Sequence, residues 1–364
     1  MPTPLLPQRQ SLVAQTAAFL NGQIEQGEWR DWLPSERSLC QLLQVSRNTL
    51  RAALVQLAAD RVIKPIHGAG NKILSKPSRR GAAQRGDHVA LLTPEPIERL
   101  RPMQSLWIDD MRALLSERGL RLRVFHGHHY FGANPGPALE KLVTRNPHGC
   151  WILIFAEDTT QRWFSENRVP CVVAGSTYPG IDLPSRDLDH RAMCRHAAGV
   201  LLGLGHRHLA MLMVKSRRAG DLESEAGFLE GVKQSPHGDA TAAVLHHEGS
   251  VTGLATAVRR LLKLRPLPTG LVVMHPHDYL ATVTRLAQSG VRIPQDMSVL
   301  SRDDDPFLGF ISPLPARYEV GPHLMARSLL PPVLELLEGN SVSQHSMRII
   351  PKFLKGESIA AARV

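Results

Sequence analysis

The sequence predicts an α/β chain in two parts, a small helical head with a β-hairpin followed by a large region of doubly wound parallel sheets. Three observations predict it. At 364 residues the chain is long enough for more than one domain. The apolar pattern changes near residue 87, from helical stripes to short apolar runs alternating with helical stretches. The charge is also uneven: residues 1–86 hold twelve Lys and Arg against five Asp and Glu, seven of the ten net positive charges.

Residues 8–61 read as three helices. The first carries Leu12, Val13, Phe19, Leu20 and Ile24 and ends at Gly27. After a loop with Trp29, Trp32 and Pro34, Ser35 is placed to cap a short second helix with Leu39, Leu42 and Leu43. Gln44-Val45 makes a tight connection, and Ser46 caps the third helix. Short strands at 62–66 and 71–74 flank His67-Gly68-Ala69-Gly70, whose glycines suit a turn. Trp29 and Trp32 are expected in the core of this head. Residues 75–86 (SKPSRRGAAQRG) have no periodic apolar signal and read as a linker.

Beyond it, strands are expected at 88–92, 121–125, 150–155, 171–174, 209–214, 242–245, 270–274 and 297–300. Helical stretches fill most of the gaps, at 105–118, 137–145, 159–167, 190–204, 222–234, 250–264 and 278–289. Such alternation argues for βαβ units, and the length allows two lobes. The boundaries expected are therefore a head at 1–74, a linker at 75–86 and a two-lobed domain at 87–364.

The four cysteines are scattered and fit neither a zinc site nor a disulfide framework, which points to a reducing cytosol. Pro2, Pro4, Pro7 and Arg9 break any signal-peptide core, and no apolar run approaches the ~20 residues of a membrane span. A basic head favours a polyanionic partner.

On a helix capped by Ser46, Leu50, Ala53, Leu54 and Leu57 span roughly a 100° apolar arc, leaving Arg47, Asn48 and Arg51 opposite, near the N-terminus. A recognition helix needs this division, because one side packs while the other reaches base edges in the major groove. Arg and Asn can each bond a base edge bidentately, and Thr49 on the first turn suits a phosphate. The plainer reading is that these side chains solvate an exposed face. The surrounding pattern weighs against that reading. Leu33-Pro34-Ser35-Glu36-Arg37, then Val45-Ser46-Arg47-Asn48-Thr49-Leu50-Arg51-Ala52-Ala53-Leu54 and a Gly-rich hairpin, resemble the GntR family of bacterial regulators over about residues 8–75. The resemblance implies a winged helix-turn-helix in which Arg37, Arg47, Thr49 and Arg51 contact DNA, with His67 and Gly68 at the wing tip. Ala52 stands where the family often has Glu, which puts in doubt an ion pair that orients an arginine. Asn71-Lys72-Ile73 also departs from the family's usual wing.

Leu201-Leu202-Gly203-Leu204-Gly205-His206-Arg207-His208-Leu209-Ala210 is similar to a segment of LacI/GalR-type regulators. Gly227-Phe228, Gly290-Val291-Arg292-Ile293-Pro294, Asp303-Asp304 and Pro351-Lys352-Phe353 continue the likeness in order over about residues 87–358. The fold implied is the periplasmic-binding-protein-like type I sensor, with a small-molecule effector between its lobes. The resemblance carries effector contacts onto Asp189, Asp278 and Asp303. His277 replaces the family's Asn, Ser301-Arg302 replace its Gly-Phe, and Ser224 stands where an arginine often grips sugar hydroxyls. Arg302 and His277 suit a ligand with negative charge, while the three aspartates suit hydroxyl or amine donors. The alternative is a degenerate pocket whose residues only cap strands and helices.

Neither His126-Gly127-His128-His129 nor His275-Pro276-His277-Asp278 has the helical spacing of a metal site, so no metal is expected. His246-His247 reads as solvated, and Trp107 and Trp163 as lobe core or cleft floor. Gly203-Leu204-Gly205 reads as a helix end, not a dinucleotide loop, so no cofactor is expected. The chain reads as a cytoplasmic, homodimeric transcriptional repressor. Its expected partners are double-stranded operator DNA and an effector, possessing a sugar or sugar-derived character; a membrane partner is not expected. The rival readings, an enzyme or a transport-type binding protein on the same scaffold, find no nucleophile elbow, phosphate loop or signal peptide.

Overall fold

Two serines start the helices of the head. Ser35 Oγ accepts from the Ser38 amide at 3.2 Å and Ser46 Oγ from the Thr49 amide at 3.1 Å, so each satisfies an orphan donor of a first turn. Helices α1 (Leu12–Glu25), α2 (Glu36–Leu43) and α3 (Arg47–Ala59) follow the expected order. Between α2 and α3, Gln44 takes φ 52°, the left-handed conformation that makes the turn tight. Leu50, Ala53, Leu54 and Leu57 are buried against Leu20, Ile24 and Leu39, as the apolar arc predicts. Strands β1 (Ile63–Ile66) and β2 (Gly70–Ile73) form an antiparallel hairpin with Ile63 opposite Ile73. Trp32 bridges to Lys72 beside it and is 41% exposed, so it is an edge residue and not the core residue expected; Trp29 is partly buried against the core.

In this computed structural model the residues described are 12–25, 29, 31–60, 62–66, 70–74, 88–216 and 218–363. His67, Gly68 and the linker 75–86 lie outside them. The chain divides into two compact units, Met1–Gln84 and Arg85–Val364.

The second unit holds two six-stranded sheets. The first lobe contains β3 (His88–Thr93), α4 (Pro102–Ser116), β4 (Arg121–His126), α5 (Gly136–Arg145), β5 (Cys150–Ile154), α6 (Asp158–Glu166), β6 (Cys171–Ala174) and β7 (Ser185–Leu188). The chain then enters the second lobe through α7 (His190–Gly203), β8 (His208–Val214), α8 (Ala219–Lys233) and β9 (Thr241–His247). It continues with α9 (Val251–Lys263), β10 (Gly270–Val273), α10 (Pro276–Gln288), β11 (Ser298–Ser301) and β12 (Ala316–Glu319). Helix α11 (Pro322–Leu337) and β13 (Ser346–Ile349) return to the first lobe, and β14 (Lys352–Leu354) closes the second.

The sheet orders are β13-β7-β6-β5-β3-β4, wholly parallel, and β14-β12-β11-β10-β8-β9, parallel except at the β12–β14 edge. Central strands such as β5 and β10 are buried along their whole length, as sheets covered by helices on both faces require. The chain crosses between the lobes at β7 to α7, β12 to α11 and β13 to β14. Apolar clusters line both faces of each sheet, with α4 and α11 over one face of the first and α7 and α8 over one face of the second.

Strands β7, β12, β13 and β14 and helix α11 have no counterpart among the sequence expectations. Strand β7 reads Ser-Arg-Asp-Leu yet buries Ser185 and Arg186, and α11 contains Pro331 and Pro332 in its interior. Both look wrong for their class when local pattern is the only guide.

Candidate functional site

Helix α3 divides into two faces. Its apolar side is buried in the head, whereas Arg47, Asn48 and Arg51 are exposed, as is Arg37 on α2. Thr49 is half-buried, its Oγ1 lying 2.8 Å from Ser46 Oγ. Arg51 donates from Nε to Glu36 Oε2 at 2.9 Å, linking α3 to α2. An ion pair this exposed contributes little stability, but it fixes the direction of the guanidinium. Glu36 thus supplies the carboxylate that Ala52 lacks, a partner the sequence comparison did not point to.

The second unit holds a cavity of about 190 Å³ between its lobes, lined by both. Its walls are the carboxyl ends of parallel strands: Phe155 follows β5, Ser176 follows β6, His275 follows β10, and Arg302 and Asp303 follow β11. Ligands of open α/β sheets bind at this position. Phe155 has φ 55°, a conformation bulky side chains rarely adopt and one that clusters at functional sites. The Arg218 guanidinium of the second lobe lies over its ring, 4.6 Å from the centroid.

One chain of charges dominates the second-lobe wall. Buried Arg302 donates from Nε and Nη2 to Asp303 at 2.8 and 2.9 Å. Its Nη1 reaches Ser224 Oγ at 2.9 Å and Asp221 Oδ1 at 3.3 Å. From the first lobe, Arg101 Nη1 donates to Asp303 Oδ2 at 3.0 Å and to His275 Nδ1 at 2.9 Å. Arginine only donates, so in this contact Nδ1 accepts and the proton of the neutral ring sits on Nε2; the same Nδ1 lies 3.4 Å from Asp303 Oδ2.

Burial alone would raise the Asp303 carboxyl, but the Arg302 and then the Arg101 guanidinium hold it well below the usual carboxylate range. Asp221 is likewise lowered, with burial overcome chiefly by Arg302. At the β7–α7 crossing, burial of Asp187 is overcome by His190, 3.2 Å away, and by Ser176, which donates at 2.6 Å. Burial and then the Arg101 charge push His275 below the ordinary histidine value. The cleft thus holds ionised carboxylates beside a neutral imidazole.

Of the residues expected here, Arg302 and Asp303 line the cleft. Asp189, His277 and Asp278 are not among its lining residues. Asp189 caps α7 by accepting from the Ala192 amide at 2.9 Å. His277 packs its ring on Phe307, and Asp278 faces buried His247, 3.4 Å from Nε2. Burial of His247 also corrects the expectation that His246-His247 is solvated; His246 pairs with Glu225 at 2.9 Å. In each motif the cleft uses the residue two places earlier, Asp187 for Asp189 and His275 for His277. The signal was present in Asp187-Leu188-Asp189 and His275-Pro276-His277, since the residue leaving a strand end points into the crevice and the next ones start the helix. Arg101, Arg218 and Phe155 had no sequence signal. Trp107 lines the cleft, whereas Trp163 packs on Phe164. Among the described residues no group of three or more His, Cys, Asp or Glu could hold a metal ion. No helix among them is long and apolar enough to cross a membrane.

Comparison with known proteins follows the same division. Residues 12–73 match the family model of bacterial regulatory proteins of the gntR family, and residues 198–359 match a periplasmic-binding-protein-like domain. An uncharacterized HTH-type transcriptional regulator in the aml 5' region of Streptomyces limosus is 26% identical over 238 residues, 63% of this chain and 67% of that protein. The HTH-type transcriptional repressor PurR of Aliivibrio fischeri is 26% identical over 120 residues, 31% of this chain, which spans only 34% of that protein. A LacI family transcriptional regulator from Enterococcus faecium, solved with bound ribose, matches with a TM-score of 0.63 at 17% identity. That match covers 76% of this chain and 100% of the solved one, a likeness of fold.

Proposed function

We propose that this chain, a transcriptional regulator joining a GntR-family helix-turn-helix domain to a periplasmic-binding-protein-like ligand-binding domain, is a repressor controlled by a small molecule in the interlobe cleft. The observation that carries the reading is the division of α3, with Leu50, Ala53, Leu54 and Leu57 buried and Arg47, Asn48 and Arg51 exposed. In this reading Arg47, Asn48 and Arg51 meet base edges in the major groove and Thr49 and Arg37 meet phosphate; His67 and Gly68, also expected at DNA, lie outside the described residues. A homodimer would present two such heads to a roughly palindromic operator in the cytoplasm.

The cleft supports the control half. Three chain crossings join lobes that each contribute charged groups to it, so a ligand touching both walls favours one lobe arrangement over another. Unequal affinity for the two arrangements is what makes such a ligand an allosteric effector. Two proteins similar to this chain, a repressor and a LacI family regulator solved with bound ribose, support this assignment.

The test is operator binding with and without a small molecule that raises the melting temperature of the intact chain. Asp303→Ala is expected to spare operator binding and abolish the response. An equal response in the variant would move the effector site elsewhere.

A further inference from the structure

Resting on the reading that the cleft is the effector site, we propose that its effector is a cation, carrying an ammonium or amidinium group whose seat is the one the Arg101 guanidinium occupies. Among the described residues five aspartates line the cleft against three arginines, Arg101, Arg218 and Arg302, with Asp304 held by Arg317 at 2.7 Å and Asp187 by His190 at 3.2 Å. Arg302 is no anion receptor. Its three nitrogens are bound to Asp303, Asp221 and Ser224, and its side chain is 4% exposed. Arg218 lies against the Phe155 ring.

Arg101 differs from both. It reaches across from the other lobe, is 28% exposed, and among the described residues meets the second-lobe wall through Nη1, which contacts Asp303 and His275. Without it, the wall presents Asp221, Arg302 and Asp303, a buried triad with one uncompensated negative charge. With it, the triad is neutral. A ligand therefore gains a place at Asp303 by replacing Arg101, and only a positive group does so without leaving a buried carboxylate short of charge. Asp303 accepts three hydrogen bonds from guanidinium nitrogens, so a neutral hydroxyl that replaced Arg101 would restore a hydrogen bond but not the charge. The apolar walls suit the same chemistry, because Trp107, Phe155 and Tyr318 line the cavity and aromatic faces attract desolvated cations. Replacement of Arg101 would also release an ion pair that spans the lobes, which couples occupancy to lobe arrangement.

Ethylguanidinium chloride, the end of an arginine side chain as a free ion, is the probe. Thermal melting of the intact wild-type chain and of Arg101→Ala is followed as its concentration rises, against sodium chloride at equal ionic strength. The half-maximal stabilising concentration is expected to be roughly tenfold lower in Arg101→Ala, an added 1.4 kcal/mol of binding. Arg101→Gln should behave alike if the alanine variant does not fold. Adding Asp303→Asn should remove the effect. Equal responses in wild type and Arg101→Ala, or a response that survives Asp303→Asn, would overturn the proposal. Ribose or ribose 5-phosphate stabilising the wild type, with the effect lost in Asp303→Asn, would keep the cleft as the effector site and overturn its cationic assignment. If none of these probes responds to the cleft substitutions, both readings fall.

Discussion

Arg186 donates from Nε to the Ser328 carbonyl at 3.0 Å, and that carbonyl is the one Pro332 cannot serve. In an α-helix the amide of residue 332 would bond residue 328, but proline has no N–H. Buried Arg186 on β7 supplies the missing donor and also meets the carbonyls of Ser185, Gln344 and His345. Among the described residues Arg186 has no ion-pair partner, and its carbonyl contacts hold α11 and the start of β13 to β7.

Arg186→Met is therefore expected to destabilise the chain by on the order of 3 kcal/mol, since several buried carbonyls lose their donor. Pro332→Ala should return about 1 kcal/mol of this in the Arg186→Met background by restoring the helical amide. Its effect in the wild type should be smaller. Urea unfolding of the four chains measures this coupling, and additive effects of the two substitutions would refute it.

The same two residues show why part of the fold was hidden in the sequence. Strands β3 to β6 and β8 to β11 announce themselves as apolar runs because both faces of each sheet are covered. Strand β7 fills its buried positions with Ser185 and Arg186, whose satisfaction depends on carbonyls more than a hundred residues away. Helix α11 tolerates Pro332 for the same distant reason. The cleft was half legible: Arg302 and Asp303 stand out at a strand end, and Ser46 with Arg47 marks α3. Arg101, Phe155 and Arg218 become site residues only through the approach of two lobes, which no local pattern encodes. Asp189 and Asp278 mislead because both sit at helix N-termini, where a carboxylate is favoured in any case.

Stability should depend on pH in two windows. Burial lowers His206, which lies 2.9 Å from both Thr269 Oγ1 and Ser298 Oγ, and burial with the Arg101 charge lowers His275. A histidine lowered on folding contributes stability that is whole above its unfolded value, about 6.5, and is lost as pH falls through the folded one. Asp187, Asp221 and Asp303 are lowered as well, so their share is whole above about pH 4 and is lost below it. Urea unfolding of the intact chain from pH 8 to 3 is expected to show both declines. His206→Gln should flatten the upper window and Asp303→Asn the lower. A profile unchanged by both substitutions would contradict these assignments.

Operator affinity should fall linearly with the logarithm of salt concentration, by about 0.9 for each phosphate neutralised. Arg37 lies exposed on α2, and Arg37→Ala should weaken binding about equally on all sequences and reduce that slope by about one. A loss confined to one operator sequence, with the slope intact, would assign Arg37 to base reading instead.

The central claim is that the exposed face of α3 reads DNA. The most direct measurement is the affinity of wild type and Arg47→Ala for an operator selected from random duplexes, by fluorescence anisotropy at one fixed salt concentration. A loss of ~1–3 kcal/mol is expected, with relaxed preference at one base pair. An unchanged affinity, with the same preferred sequence, would contradict the account.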